Sequence, residues 1–147
     1  MIRTMLTLAA GAAIGVSGLA LAQTRHGHGN GPTVKTLSAV DVNEQLNGKP
    51  TRATTQEVTF EPGAASAPHR HPGPVFGYVL EGELEFLAGD APSHRLKTGD
   101  TFYEPAMVLH AVSRNPSDQA RTRVLAVMLN ARDAKALVVP EPAKGRK

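Results

Sequence analysis

Short runs of β-forming residues, each closed by a Pro, Gly or Asn turn signal, limit what this chain can become. Strand candidates are Thr33 to Val40, Arg52 to Phe60, Phe76 to Glu81, Glu83 to Leu87, Ser93 to Leu96, Thr101 to Glu104, His110 to Ser113 and Arg123 to Leu129. Between them stand Asn47-Gly48-Lys49-Pro50, Glu61-Pro62-Gly63, Pro72-Gly73-Pro74, Gly89-Asp90, Thr98-Gly99-Asp100 and Asn115-Pro116-Ser117-Asp118. Many short strands with regular turns predict an all-β sandwich or barrel. Only Asp41 to Leu46 is expected to form a short helical turn. Phe60, Phe76, Phe86, Phe102, Leu84 and Val112 are the core candidates. At 147 residues the chain suits one domain, with enough surface to bury for folding without staples.

The ends read differently from the middle. Residues 1 to 22 carry a signal-peptide pattern: Arg3, an apolar stretch from Met5 to Leu21, and Ala20-Leu21-Ala22 as a small-x-small cleavage site. Gln23 is then the expected mature N-terminus; an uncleaved anchor is the alternative. No twin arginine is present, which fits export of an unfolded chain to the periplasm or medium. The mature protein is expected to have no membrane segment. Residues 23 to 32 read as a flexible lead-in holding His26 and His28, between glycines, which could bind metal loosely. The barrel is assigned to 33 to 132. The tail, 133 to 147, is expected to fray, with Leu137 to Val139 able to dock.

The net charge is +3 and the cationic residues are scattered, so no nucleic-acid surface is read despite the basic balance. There is no cysteine, which excludes disulfides and thiolate metal sites.

Chemistry concentrates in Gly63 to Gly82 and Gly99 to Asn115. His69 and His71 are one residue apart, and alternate residues of a strand share a face. Two imidazoles so placed can share a metal ion, and His110 supplies a third. His94 fits no ligand position and is expected to be exposed. Arg70, between the histidines, must point the other way. In Phe102-Tyr103-Glu104, alternation puts Phe102 and Glu104 on one face and Tyr103 on the other. Tyr78, alternating with Phe76 and Leu80, is placed in the interior as a packing or substrate-binding residue, alongside Phe102.

These residues resemble the cupins. The first motif of that family reads G-x5-H-x-H-x3,4-E-x6-G, and Gly63, His69, His71 and Gly82 match it. The second reads G-x5-P-x-G-x2-H-x3-N, and Gly99, Pro105 and His110 match it. The resemblance covers about Val58 to Leu129. It implies a double-stranded β-helix, a jelly-roll barrel, with a metal ion held inside by the motif histidines. The chain departs from the pattern at Val75, where the ligand glutamate is expected, at Met107 in place of glycine, and at Arg114 in place of asparagine, with Asn115 next to it. Cupins generally carry an apolar inward residue at the Glu104 position.

An unpaired carboxylate there would be costly, and a metal ion would remove the cost. The expectation is a swap in which Glu104 replaces the glutamate missing at Val75. The alternative is a Glu104 at the strand mouth, solvated or paired with Arg70 or Arg114. A three-histidine site completed by water would then remain. One divalent transition metal is expected: imidazole suits Zn, Cu, Fe and Ni, and a carboxylate admits Mn. Outside the cytoplasm the affinity order favours copper and zinc.

Three functions stay open: an enzyme acting on a small molecule, such as a dioxygenase-type oxidoreductase; a metal- or ligand-binding protein without turnover; a degenerate structural module. The fold alone does not choose among them. A homodimer through edge strands is also compatible. The signal-peptide reading predicts that intact mass of protein recovered from a periplasmic fraction begins at Gln23; a mass retaining residues 1 to 22 would show an anchor.

Overall fold

The computed structural model describes residues 31–142. The leader, its cleavage site and His26 and His28 lie outside the described residues.

Among the described residues, ten strands form two five-stranded antiparallel sheets. They are β1 (Thr33–Leu46), β2 (Lys49–Phe60), β3 (His69–Arg70), β4 (Val75–Glu81), β5 (Glu83–Ala88), β6 (His94–Lys97), β7 (Thr101–Glu104), β8 (His110–Arg114), β9 (Thr122–Ala131) and β10 (Val139–Pro140). One sheet runs β1-β2-β9-β4-β7 and the other β10-β3-β8-β5-β6. This is the all-β double-stranded helix the motifs imply.

The segment Asp41 to Leu46 is strand, not the expected helical turn. It continues β1 into a hairpin with β2, and Asp41 faces Arg52 with an ion pair of 2.7 Å. Asn47 and Gly48 form the two-residue loop, with φ of 54° and 72°. Two successive left-handed residues match the twist of the strands they join, and Asn-Gly is the dipeptide that adopts them most readily.

β9 shows why the sheets pack face to face. Thr122, Val124, Ala126, Met128 and Asn130 are buried, and the residues between them are only partly covered. This period of two turns one row of side chains into the barrel. Val124 joins Phe60, Val79, Leu84, Phe86 and Leu96 in the main cluster, with Phe102 packed against it. Ala126 and Met128 join Val75 in a second cluster, against which Leu137 packs.

β4 corrects the sequence reading. Val75 and Val79 are buried, while Phe76 is 50% exposed and Tyr78 42% exposed. The inward face is therefore Val75-Gly77-Val79, the opposite parity to that expected. Phe76 stacks on Tyr103 on the outer surface, with ring centroids 5.2 Å apart. Tyr78 is thus on the outer surface, not in the interior where it was expected, and is not among the residues lining the cavity described below. The reason is Gly77: a Cβ there would lie 2.0 Å from the Phe102 ring, which occupies the interior volume in front of it. A glycine carries no hydrophobicity, so the pattern hid an inward position behind two outward aromatics.

Carboxylates on the outer surface are held by arginine. Glu57 accepts from Arg123 at 2.9 Å, and Glu81 pairs with Arg121 and Arg123. Hydrogen bonding to Arg123 holds the Glu57 carboxyl below the ordinary value, and hydrogen bonding to Arg121 does so for Glu81. A carboxyl lowered by folding stabilises the protein above its unfolded pKa, about 4.3 for Glu, and that contribution is lost as pH falls through the lowered value. Thermal melts between pH 6 and pH 3 should therefore show an acid decline beginning near pH 4. Arg123→Met should start from a lower midpoint and decline less steeply.

Candidate metal centre

His69 stands on β3, and His71 follows it one residue beyond the strand. The two-residue β3 is pinned on one side by β8, where His69 is the register partner of His110, and on the other by β10. Pairing across the sheet thus brings the third imidazole to the first two. The ligand atoms of His69, His71 and His110 all lie within 4.8 Å of one another. His71 and His110 are buried and His69 is half-buried. His94 is exposed and apart from them.

The hydrogen bonds fix which ring nitrogen carries the proton when two of these rings are neutral. His69 Nδ1 lies 2.7 Å from the Ala67 carbonyl oxygen, and His71 Nδ1 lies 2.8 Å from that of Leu137. A carbonyl only accepts, so each Nδ1 carries the proton and donates. In the neutral rings both Nε2 atoms then present lone pairs, and they face each other at 3.1 Å. Something positive belongs between them. A shared proton would charge a ring whose pKa is lowered, chiefly by burial and secondarily by the neighbouring His110 and His71. A metal ion fits better: two imidazole ligands at about 2.1 Å from one ion stand roughly 3.0–3.4 Å apart at cis or tetrahedral angles.

Glu104 completes the arrangement. It is only 3% exposed. One oxygen, Oε2, lies 3.0 Å from His110 Nδ1 and 3.7 Å from His71 Nε2. Neither Glu104 Oε2 nor either ring nitrogen of His110 makes an aligned hydrogen bond, and all three are buried. Buried polar atoms at close range that are not bonded to one another are the arrangement expected of ligands aimed at a common point. The residues present therefore fit a divalent cation with imidazole and carboxylate donors.

The strand-mouth alternative for Glu104 does not hold. Arg70 is engaged by Glu141 at 2.8 Å and donates to the Met107 carbonyl oxygen at 2.8 Å. Arg114 is engaged by Glu85 at 2.6 Å. Moreover, Val75 and Glu104 are direct register partners between β4 and β7. Side chains at such paired positions emerge side by side on one face, with Cβ atoms about 4.5–5.5 Å apart. The carboxylate stands across one strand pairing from the motif position that lacks it.

The other departures have structural answers. Met107 has a φ of 61°, the left-handed conformation that the motif glycine would adopt freely. Its backbone N–H donates to the His71 carbonyl oxygen at 2.8 Å, tying this loop to the ligand segment. Arg114 is exposed, and Asn115 is buried in its stead at 2% exposure. The Asn115 amide donates to the carbonyl oxygens of Phe60, Glu61 and Ala120, and its Oδ1 accepts from Ser117 N–H. A register shift between Leu87 and Ala88 in the β5–β8 pairing precedes this change of phase.

The tail contributes what sequence reading missed. Residues 137–141 are docked: β10 pairs with β3, the Leu137 carbonyl orients His71, and Glu141 holds Arg70. Backbone acceptors carry no side-chain signature; only the apolar Leu137 to Val139 hinted at docking. A cavity of about 300 Å³ opens from the centre. Phe102 lines it, together with Val34, Phe60, Leu84, Met128 and Val138.

A sequence model of the cupin domain matches residues 56–128. No curated protein sequence matches significantly. Among solved structures, the chain is similar to an uncharacterized conserved protein with a double-stranded β-helix domain from Klebsiella pneumoniae. That match has a TM-score of 0.55 and 19% identity, covering 76% of this chain and 86% of the other. It is similar to an RmlC-like cupin from Shewanella frigidimarina, with TM-score 0.52 and 25% identity over 71% of this chain and 81% of that one. It is also similar to the DMSP lyase DddQ from Ruegeria pomeroyi, with TM-score 0.58 and 23% identity, but spans only 54% of that chain against 78% of its own. With both motifs seated in this fold, the chain belongs to the cupin superfamily.

Proposed function

We propose that this protein is an exported metallocupin that holds one divalent transition metal and uses it to bind and activate a small molecule, as an oxidoreductase of dioxygenase type. His69, His71 and His110 are the imidazole ligands and Glu104 the carboxylate. The observation that carries the reading is the pair of Nε2 lone pairs 3.1 Å apart, with both Nδ1 protons already committed to backbone carbonyls.

Each group has a defined task. Ala67 and Leu137 fix ring orientation and tautomer through their carbonyls, the usual outer-shell support of a histidine ligand. Glu104 brings one negative charge into an otherwise neutral donor set. The apolar wall keeps bulk water from the centre. Four protein donors leave positions open on a six-coordinate ion, and such an ion supplies Lewis acidity and a place for substrate or O2 to bind. The second reading is a binding protein without turnover, favoured by a cavity whose described residues, beyond the ligands, offer no side chain suited to proton transfer.

Elemental analysis of protein purified without chelator or affinity tag should give about one equivalent of metal. Loss in His69→Ala, His71→Ala and His110→Ala, with the fold retained, is the expected result; unchanged content in all three would end the proposal. Glu104→Gln should weaken binding. The sharper test of the relocated carboxylate is Val75→Glu combined with Glu104→Val, which should recover metal that Glu104→Val alone loses. Truncation after Ala136 removes the acceptor of His71. It should lower metal affinity about 10–100-fold, the usual effect of losing an outer-shell partner, measured by competition with a chromogenic chelator.

A further inference from the structure

Among the described residues, the cavity above the histidines has no cationic wall. Its described lining beyond the ligand set is apolar except for Gln56, Ser66 and Ser113, with no lysine or arginine among those residues. Gln56 already donates to Thr36 Oγ1 at 3.1 Å. The nearest arginine to the centre in sequence, Arg70, is held by Glu141 and the Met107 carbonyl, as described above.

Charge accounting then restricts the ligand. A dication and the Glu104 carboxylate sum to one net positive charge, enclosed by groups such as Phe60, Leu84, Phe102 and Met128. Uncompensated charge in such surroundings is costly. A monoanionic head brings the site to neutrality. A dianion overshoots, with no cation on the wall to meet its second charge. A strongly polar neutral body, such as a sugar, would leave its hydroxyls facing aliphatic carbon with few partners. The volume of about 300 Å³ lies at the lower end of the range for small-molecule sites, roughly 300–1,000 Å³.

We infer that the site takes a compact organic monoanion: one acidic oxygen-bearing head on the metal and an apolar body against the Val34–Phe102–Val138 wall. This inference deepens the metallocupin reading and rests on it. It assigns the ligand class by charge and polarity, whether or not turnover follows.

Calorimetric titration of zinc-loaded protein, where zinc removes redox chemistry, tests it with three probes: benzoate as an apolar monoanion, succinate as a dianion, and glucose as a polar neutral. Benzoate should bind at least tenfold more tightly than succinate, glucose should give no heat, and removal of zinc should weaken benzoate at least tenfold. Val138 is 45% exposed, so Val138→Lys can place a cation at the rim without burying it. That variant should tighten succinate severalfold and narrow the preference. Val34→Lys, at 51% exposure, serves the same purpose should the first variant fold poorly. Succinate equal to or tighter than benzoate, glucose binding, or no heat from any probe on zinc-loaded protein would overturn the inference while leaving the metal site standing. Failure of zinc to bind the wild type, or its retention in all three histidine variants, would instead remove the metallocupin reading beneath it.

Discussion

Two imidazole nitrogens with lone pairs turned toward each other at 3.1 Å are the constraint on which the rest of this centre depends. Left alone, that contact is repulsive. It persists because each ring is anchored from behind by a backbone carbonyl, so neither can rotate its lone pair away without losing a hydrogen bond. The two anchors come from opposite directions in the chain: Ala67 lies just before β3, and Leu137 lies near the C-terminal end of the described residues. The fold thus arranges the ring geometry by itself, and a cation placed between the two nitrogens would relieve it. Such preorganisation lowers the cost of ordering ligands at the moment of binding.

The same logic explains a buried carboxylate in a place where the family pattern has none. In a barrel with period-two alternation, positions facing each other across a strand pairing are nearly equivalent as seen from the interior. Val75 and Glu104 are such a pair. From its strand, the Glu104 carboxylate reaches His110 at 3.0 Å and His71 at 3.7 Å. Val75 packs with Ala126 and Met128. The missing glutamate and the unexpected one, far apart in the linear sequence, are neighbours across one strand pairing.

The C-terminal segment shows how a site can recruit residues with no chemical signature. Its contributions are a carbonyl, a short edge pairing and a carboxylate on Arg70. By capping β3, it protects a two-residue strand that would otherwise be too short to hold its register. It also adds Val138 and Pro140 to the cavity lining, so the tail both orients a ligand and shapes the space in front of it.

The sequence by itself determined the all-β architecture and the histidine cluster. Turn residues punctuate nearly every strand, and the histidine spacing with its flanking glycines has few other uses. It also determined that Phe102 and Glu104 share a face, because alternation within a short strand is local. It did not determine the parity of β4: Gly77 marks the inward face with no side chain, and Phe76 and Tyr78 are hydrophobic yet outward. It misread Asp41 to Leu46, because only pairing with β2 makes that segment a strand. Tertiary structure alone decided that Val75 and Glu104 adjoin, that Leu137 supports His71, and that, among the described residues, no cation lines the cavity. Those facts depend on strand pairing between residues far apart in the chain, and a local pattern carries no information about which partner a strand will find.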